Sequence, residues 1–158
     1  LGPLALQFAK AWGCHVTAIT TSKSKEREAK SFGAHCVLDT NDPEALQSNE
    51  PFDVILSTID VALDWNIFLS ALKPKGRLHF LGVQAIPAEL QLMPMMFAQL
   101  SISSSIVGSP QRLADMLDFC ARHQIEPQTE HFPFSKINEA MAHLKSGAPR
   151  YRIVLDHN

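Results

Sequence analysis

Cysteine, net charge and long apolar runs are scarce in this sequence of 158 residues, and each scarcity excludes a class of protein. Cys14, Cys36 and Cys120 are too few and too far apart for a disulfide framework or a metal knuckle, so a reducing, cytoplasmic setting is expected. Lysine and arginine number 14 against 16 acidic residues, which leaves no basic field to attract nucleic acid. Polar residues interrupt every apolar run well before the roughly twenty residues that cross a bilayer, so no membrane partner is expected.

The chain does have a regular alternation of helical and strand patterns. Hydrophobic residues make up 46% of it, a normal supply for one compact domain over residues 1–158. The alternation is typical of an α/β domain with a mostly parallel sheet. Helices are predicted at 3–12, 25–30, 63–72, 94–100, 110–123 and 135–146, with a short one after Asp42-Pro43; strands are predicted at 15–20, 34–38, 52–57, 77–82, 101–107 and 151–155, and a turn at 73–76.

Serine and glycine mark the predicted ends of several helices. Ser22 or Ser24 can accept a hydrogen bond from the backbone at the start of the second helix, and Ser135 can do the same for the last helix. Gly33 and Gly147 are placed to end these two helices in a left-handed conformation. The sequence has no internal repeat, low-complexity run or domain linker, so a single folding unit is expected.

The start of the chain contains one candidate phosphate contact. Dinucleotide-binding turns carry the pattern G-x-G-x-x-G, because a backbone without side chains lets the pyrophosphate reach the amides at a helix N-terminus. Only Leu1-Gly2-Pro3 fits such a turn here, and a single glycine before a helix is most often just a turn. Gly2 becomes a candidate through its position ahead of the strand at 15–20.

A group of polar residues follows that strand directly. Thr20-Thr21-Ser22-Lys23-Ser24-Lys25 combines hydroxyl groups with two lysines and reaches no acidic residue before Glu26. NAD-binding folds place a carboxylate here to accept hydrogen bonds from the adenosine ribose 2′-hydroxyl, whereas a 2′-phosphate requires hydroxyl donors and cations. The composition therefore favours NADP(H) over NAD(H). A capped, solvated helix start explains the same residues equally well without further context.

Five segments carry a more specific resemblance along essentially the whole chain. They are His15–Ser22, Phe52–Ile55, Leu72–Leu78, Met116–Cys120 and Tyr151–Asp156. In this order they resemble the cinnamyl alcohol dehydrogenase branch of the medium-chain, zinc-type alcohol dehydrogenases. The resemblance implies a Rossmann-type, doubly wound parallel sheet that binds NADP(H), within a parent enzyme that interconverts aldehydes and primary alcohols.

The resemblance also assigns cofactor contacts residue by residue. Gly2 corresponds to the last glycine of the family's phosphate loop, and residues 20–25 to the segment that holds the 2′-phosphate. Thr58 matches a threonine beside the cofactor ribose, and Gly82 a glycine on the nicotinamide side. The remaining matches are Ser105, Ile106 and Val107, in the stretch whose backbone holds the nicotinamide amide, and Arg152, near the pyrophosphate. Without the resemblance, Thr58 and Ser105 are better explained as strand-end hydroxyls bonded to their own backbone.

The catalytic zinc of this family is expected outside the chain. Zinc-dependent hydride transfer needs Cys, His and acidic ligands with one open position, and the family carries them upstream of the cofactor domain. None of the seven histidines pairs with a cysteine at ligand spacing, so the sequence predicts no metal site and no catalytic residue.

The first strand of the family's sheet has no counterpart here either. That strand is central, so its loss predicts a gap between the strands at 15–20 and 52–57, with unpaired backbone groups. We therefore expect an isolated chain to be unstable, and the chain to be truncated at its N-terminus or completed by a strand from a partner.

The strand predicted at 101–107 is a candidate sheet edge. Family members commonly pair this edge with its symmetry mate, so the resemblance implies a homodimer, while a simple edge shielded by its serines is the alternative. Two other functions stay open: a zinc-free quinone or enone reductase with the same fold and cofactor, and a non-catalytic dinucleotide-binding or redox-sensing module. Similarity of fold does not decide among them.

Overall fold

The computed structural model describes residues 1–42, 44–83 and 87–157, and it divides into two compact units, Leu1–Leu117 and Asp118–Asn158. Helices alternate with strands along the chain, as the sequence pattern predicts. The elements are α1 (Gly2–Ala11), β1 (Thr17–Thr20), α2 (Glu26–Ser31), β2 (Cys36–Asp39), β3 (Phe52–Ser57), α3 (Trp65–Ser70), β4 (Leu72–Phe80), α4 (Leu92–Ala98), β5 (Ser101–Ser104), α5 (Pro110–His123), β6 (Thr129–Pro133), α6 (Ile137–Lys145) and β7 (Arg152–Asp156).

The helix ends predicted from glycine are confirmed, whereas both predicted serine caps are wrong. Gly33 and Gly147 follow α2 and α6 with φ angles of 108° and 70°, in the left-handed region that glycine adopts readily. A 3-10 turn precedes each of these helices, at Lys23–Lys25 and at Phe134–Lys136. Because of these turns the N-cap residues are Lys25 and Lys136, which make no side-chain cap bond. The predicted caps at Ser22 or Ser24 and at Ser135 are therefore absent.

The strands of the first unit form two separate parallel sheets. β1 pairs with β2, and β3, β4 and β5 pair in that order. Within the described residues, no strand lies between β1 and β3, so both have an edge without a backbone partner. The break falls where the sequence predicts a gap between the segments at 15–20 and 52–57.

Segment 73–76, expected to be a turn between two elements, is an interruption within β4. Phe52 pairs with Leu72 and Val54 with Arg77, so the register shifts between these two pairs. Lys75 takes a left-handed φ of 67°. A Cβ on Gly76 would lie 2.8 Å from the carbonyl oxygen of Lys73, which explains the glycine at this position. The turn chemistry is therefore present, but it bends one strand instead of joining two elements.

Two further expectations need correction. The helix expected after Asp42-Pro43 is absent over residues 44–49, which form successive turns with a hydrogen bond from the Ser48 amide to the Glu44 carbonyl; Pro43 itself lies outside the described residues. The strand expected at 101–107 stops at Ser104. The chain leaves the ladder there, since β4, its partner, ends at Phe80 opposite Ser104.

The core of the first unit lies on one face of the β3–β4–β5 sheet. Trp65 of α3 packs edge to face on Phe80 with ring centroids 4.8 Å apart, and Asp64 caps that helix by accepting a hydrogen bond from the Asn66 amide. Leu78, in the middle strand, is fully buried. The buried cluster comprises Leu46, Ile55, Trp65, Phe68, Leu69, Ala71, Leu72 and Leu78.

The opposite face of this sheet is open. Val54 and Leu56 of β3 are 52% and 41% exposed, although parallel sheets are normally covered on both faces. Their register partners on β4, Arg77 and His79, make the rest of this face more polar. β3 therefore has apolar side chains on both faces of the sheet but buries them on only one face.

The second unit is built around a parallel pair that the sequence pattern revealed only in part. β7 was predicted, but β6, with the sequence Thr-Glu-His-Phe-Pro, lacks an apolar run and was missed. Glu130 accepts hydrogen bonds from the Arg150 amide and from the His143 ring, which together hold the pKa of this carboxyl below its usual value. His131 bonds Asp156 across the pair at 3.0 Å. Hydrogen bonds between polar side chains therefore support the pairing of β6 with β7.

Replacing Leu78 by alanine is expected to lower the free energy of unfolding by about 2 to 5 kcal/mol, because a fully buried side chain would leave a cavity in the core. Leu92→Ala is the matched control, since Leu92 is 65% exposed and its loss should cost less than about 1 kcal/mol. Urea denaturation of both variants measures the difference. Equal losses would show that the described core does not determine stability.

Candidate cofactor site

Three of the predicted contacts meet where α1 begins and β3 and β4 end. A Cβ placed on Gly2 would lie 3.7 Å from the Thr58 hydroxyl, so the N-terminus of α1 faces the residue that follows β3. The main-chain amides of the first helical turn have no partners within the helix and form a positive end suited to an anion. At the end of β3 the Ser57 hydroxyl is buried and has no hydrogen-bond partner within the described residues.

Gly82 joins this group through a tight backbone contact. The amides of Leu81 and Gly82 both donate to the Ser57 carbonyl, at 2.8 and 3.2 Å. A Cβ on Gly82 would lie only 2.5 Å from the carbonyl oxygen of Ile59. The glycine is therefore required by the chain itself, because two loops cross here without room for a side chain.

The segment Thr20–Lys25 turns directly at the carboxyl end of β1. The Thr20 hydroxyl accepts a hydrogen bond from the Ser22 amide at 3.2 Å, and the Ser22 and Ser24 hydroxyls lie 2.7 Å apart. Thr21 is exposed, and Lys25 sits at the start of α2. Lys23 begins the 3-10 turn that ends at Lys25, but its side chain lies outside the described part of the structure. Hydroxyl groups are thus concentrated beside a helix start.

Asn41 is a residue of this region that the sequence analysis missed. Its side-chain amide donates to the Thr21 carbonyl at 2.6 Å and to Asp39 at 2.9 Å, which ties the loop after β2 to the loop after β1. The Asp39 carboxylate also accepts from the Asn41 main chain. An asparagine two residues after an aspartate at a strand end is a local turn signal that could have identified it.

The predicted nicotinamide segment lies just beyond β5. The Ser105 amide donates to the Phe80 carbonyl at 3.2 Å, and Ile106 and Val107 are 96% and 82% exposed. His79 of β4 holds the Ser105 hydroxyl through its Nε2 at 3.0 Å, a contact that the sequence analysis did not anticipate. The structure therefore attaches this segment to the end of β4, close in the chain to Gly82.

Arg152 is the predicted contact that the first unit does not contain. It begins β7, paired with Thr129 of β6, and its amide donates to the Gln128 carbonyl at 3.1 Å.

Over residues 1–42, 44–83 and 87–157, no three His, Cys, Asp or Glu side chains cluster as metal ligands. No helix in the same ranges is long and apolar enough to cross a membrane.

Parallel strands that alternate with helices, as in the first unit, are typical of a Rossmann-type α/β domain. Comparison with known proteins gives the family: residues 1–122 match the zinc-binding dehydrogenase model, and the chain belongs to this family of the medium-chain alcohol dehydrogenase superfamily. A cinnamyl alcohol dehydrogenase structure from Sorghum bicolor superposes with a TM-score of 0.90 at 30% identity, covering 99% of this chain and 45% of that one.

Proteins of known sequence agree with this assignment. The aldehyde reductase AdhA of Synechocystis sp. is 52% identical over 159 residues, which cover 100% of this chain and 47% of the relative. The NADP-dependent alcohol dehydrogenase C 1 of Mycolicibacterium smegmatis is 34% identical over 157 residues, covering 99% of this chain and 45% of the relative. The chain thus spans about half the length of the curated relatives it matches.

Gly82→Ala is expected to destabilise the first unit by about 1 to 3 kcal/mol, because the added methyl group collides with the Ile59 carbonyl. Gly2→Ala is the matched control: its Cβ makes an ordinary contact, and alanine favours a helix by about 0.5 to 1 kcal/mol. Thermal unfolding without cofactor compares the two variants. A Gly82→Ala protein as stable as the Gly2→Ala protein would contradict the crossing of loops described here.

Proposed function

We propose that this chain is the NADP(H)-binding portion of an oxidoreductase that interconverts aldehydes and primary alcohols. The cofactor choice depends on one observation: residues 20–25, directly after β1, present hydroxyls and lysine and contain no carboxylate. A 2′-phosphate matches such a site, whereas NAD sites place an acidic residue there. The relative from M. smegmatis is described as NADP-dependent, which supports this choice.

The helix-cap explanation for the same residues loses support in the structure. α2 begins at Glu26, its N-cap residue Lys25 makes no side-chain cap bond, and the hydroxyls of Ser22 and Ser24 bond each other instead. Two paired hydroxyls beside a helix start can both turn their protons toward a phosphate oxygen. A binding role for Thr20–Lys25 is therefore better supported than a purely structural one.

The other proposed contacts would each meet a different part of the dinucleotide. The amides at Gly2 would receive the pyrophosphate, and Thr58 would bond the ribose. For Arg152, in the second unit, a pyrophosphate contact is proposed from the resemblance alone. Gly82 would border the nicotinamide, and the backbone of Ser105, Ile106 and Val107 would hold its amide group. The bound cofactor supplies the hydride, while these residues fix its position and orientation.

The substrate class and the metal belong to the protein as a whole. The Synechocystis aldehyde reductase and the sorghum cinnamyl alcohol dehydrogenase support aldehydes and alcohols as substrates, and the family's name supports zinc. We assign the zinc, which would polarise the carbonyl, to ligands outside this chain. On this proposal the chain alone binds cofactor weakly and has no activity.

A homodimer through β5 and a cytoplasmic location complete the proposal. β5 pairs with β4 on one side only within the described residues, which leaves an edge for the same strand of a second copy. The cysteines support this location: Cys14 and Cys36 are exposed and unpaired in the structure, and free thiols persist in a reducing compartment.

Fluorescence titration of the polypeptide that carries this chain is expected to show tighter binding of NADPH than of NADH. Lys25→Ala should weaken NADPH binding by about tenfold and leave NADH binding unchanged, because a charge-assisted bond to the 2′-phosphate is lost. Lys30→Ala is the control, since Lys30 forms an exposed ion pair with Glu26 at 2.7 Å. Equal affinity for the two cofactors, or a preference for NADH, would overturn the 2′-phosphate assignment.

Zinc dependence separates this proposal from its alternatives. The same polypeptide is expected to contain bound zinc by elemental analysis and to lose aldehyde reduction when a chelator removes the metal. Reduction of quinones or enones without bound metal would favour the zinc-free reductase. Saturable NADPH binding without turnover of either substrate class would favour the non-catalytic module.

A further inference from the structure

The imidazole ring of His79 joins two serines on the strand beside it. Its Nδ1 lies 2.8 Å from the Ser103 hydroxyl, and its Nε2 lies 3.0 Å from the Ser105 hydroxyl. The first contact follows from the register, in which His79 pairs with Ser103. The second reaches two residues further along the same face, beyond the last residue of β5.

This second contact matters because the ladder has already ended at Ser105. The segment is tied to β4 at two points, by the amide of Ser105 on the Phe80 carbonyl and by its hydroxyl on His79. Ile106 and Val107, which follow, are almost fully exposed. The direction in which the backbone of 105–107 points therefore depends on how firmly Ser105 is held.

We propose that His79 is a positioning residue that orients residues 105–107 for the nicotinamide amide. This inference rests on the proposed function, in which the backbone of that segment holds the amide group. His79 acts through Ser105 and does not itself touch the cofactor. A small rotation of this segment would misalign its hydrogen bonds to the planar amide. The nicotinamide ring would then be held less firmly in the orientation that hydride transfer needs.

The bond to Ser105 carries this role, and the bond to Ser103 orients the ring that makes it. In a neutral imidazole one nitrogen donates and the other accepts, and a serine hydroxyl can do either, so both contacts are satisfied together. The Ser103 bond fixes the rotation of the ring, and this fixed ring directs Nε2 at Ser105. A flexible side chain at position 79 would reach Ser105 without this constraint.

Two substitutions separate the contacts. In His79→Asn the amide nitrogen replaces Nδ1 and keeps the bond to Ser103, whereas in His79→Gln it reaches the position of Nε2 and keeps the bond to Ser105. The polypeptide that carries this chain is assayed for the KM of NADPH, kcat with an aldehyde, and the Kd of 2′,5′-ADP. His79→Asn should raise the KM of NADPH about two- to tenfold, His79→Gln should restore most of it, and 2′,5′-ADP binding should not change.

His131→Asn is the matched control, because this ring is also bonded at both nitrogens, but its partners Thr129 and Asp156 are not part of the segment 105–107. Its cofactor KM should equal that of the unmodified protein. Equal KM values for His79→Asn and the unmodified protein, or a loss of 2′,5′-ADP binding that parallels the rise in KM, would overturn the positioning role. An unmodified protein that binds neither NADPH nor 2′,5′-ADP would instead refute the proposed function, and this inference with it.

Discussion

The parallel pairing of β3, β4 and β5 is the constraint on which the candidate site depends. Strands that run in the same direction end at the same edge, so Thr58, Gly82 and Ser105 each lie one or two residues beyond a strand on that edge. The Ser57 carbonyl, which receives two amides from the residues after β4, fixes how the chain leaves the sheet. A one-residue slip of β4 would turn Leu78 out of the core and separate these contacts.

Features that depend on neighbouring residues were predictable from the sequence. The positions of β1, β3 and β7 follow from short runs of branched apolar residues, and the ends of α2 and α6 follow from glycines that adopt a left-handed φ. The family was predicted from whole segments and is confirmed. The individual cofactor contacts stay predictions, although the structure brings Gly2, Thr58 and Gly82 together.

Features that depend on partners distant in the chain were not predictable. His79 bonds serines 24 and 26 residues later, so its contacts have no local pattern. The turn formed by Asp39 and Asn41 has a local signal, but the bond from Asn41 to a carbonyl 20 residues earlier has none. β6 is polar because its ladder is accompanied by side-chain pairs with α6 and β7 instead of a continuous apolar core. The serine caps failed because two 3-10 turns displaced the helix starts.

The unpaired edge of β3 has a consequence for handling the protein. A strand edge with open amides and carbonyls, flanked by the exposed side chains of Val54 and Leu56, is a template for pairing between molecules. Wherever that edge is uncovered, self-association should increase with protein concentration and compete with refolding. Solubility, and not heat resistance, would then set the practical limit on working with this chain.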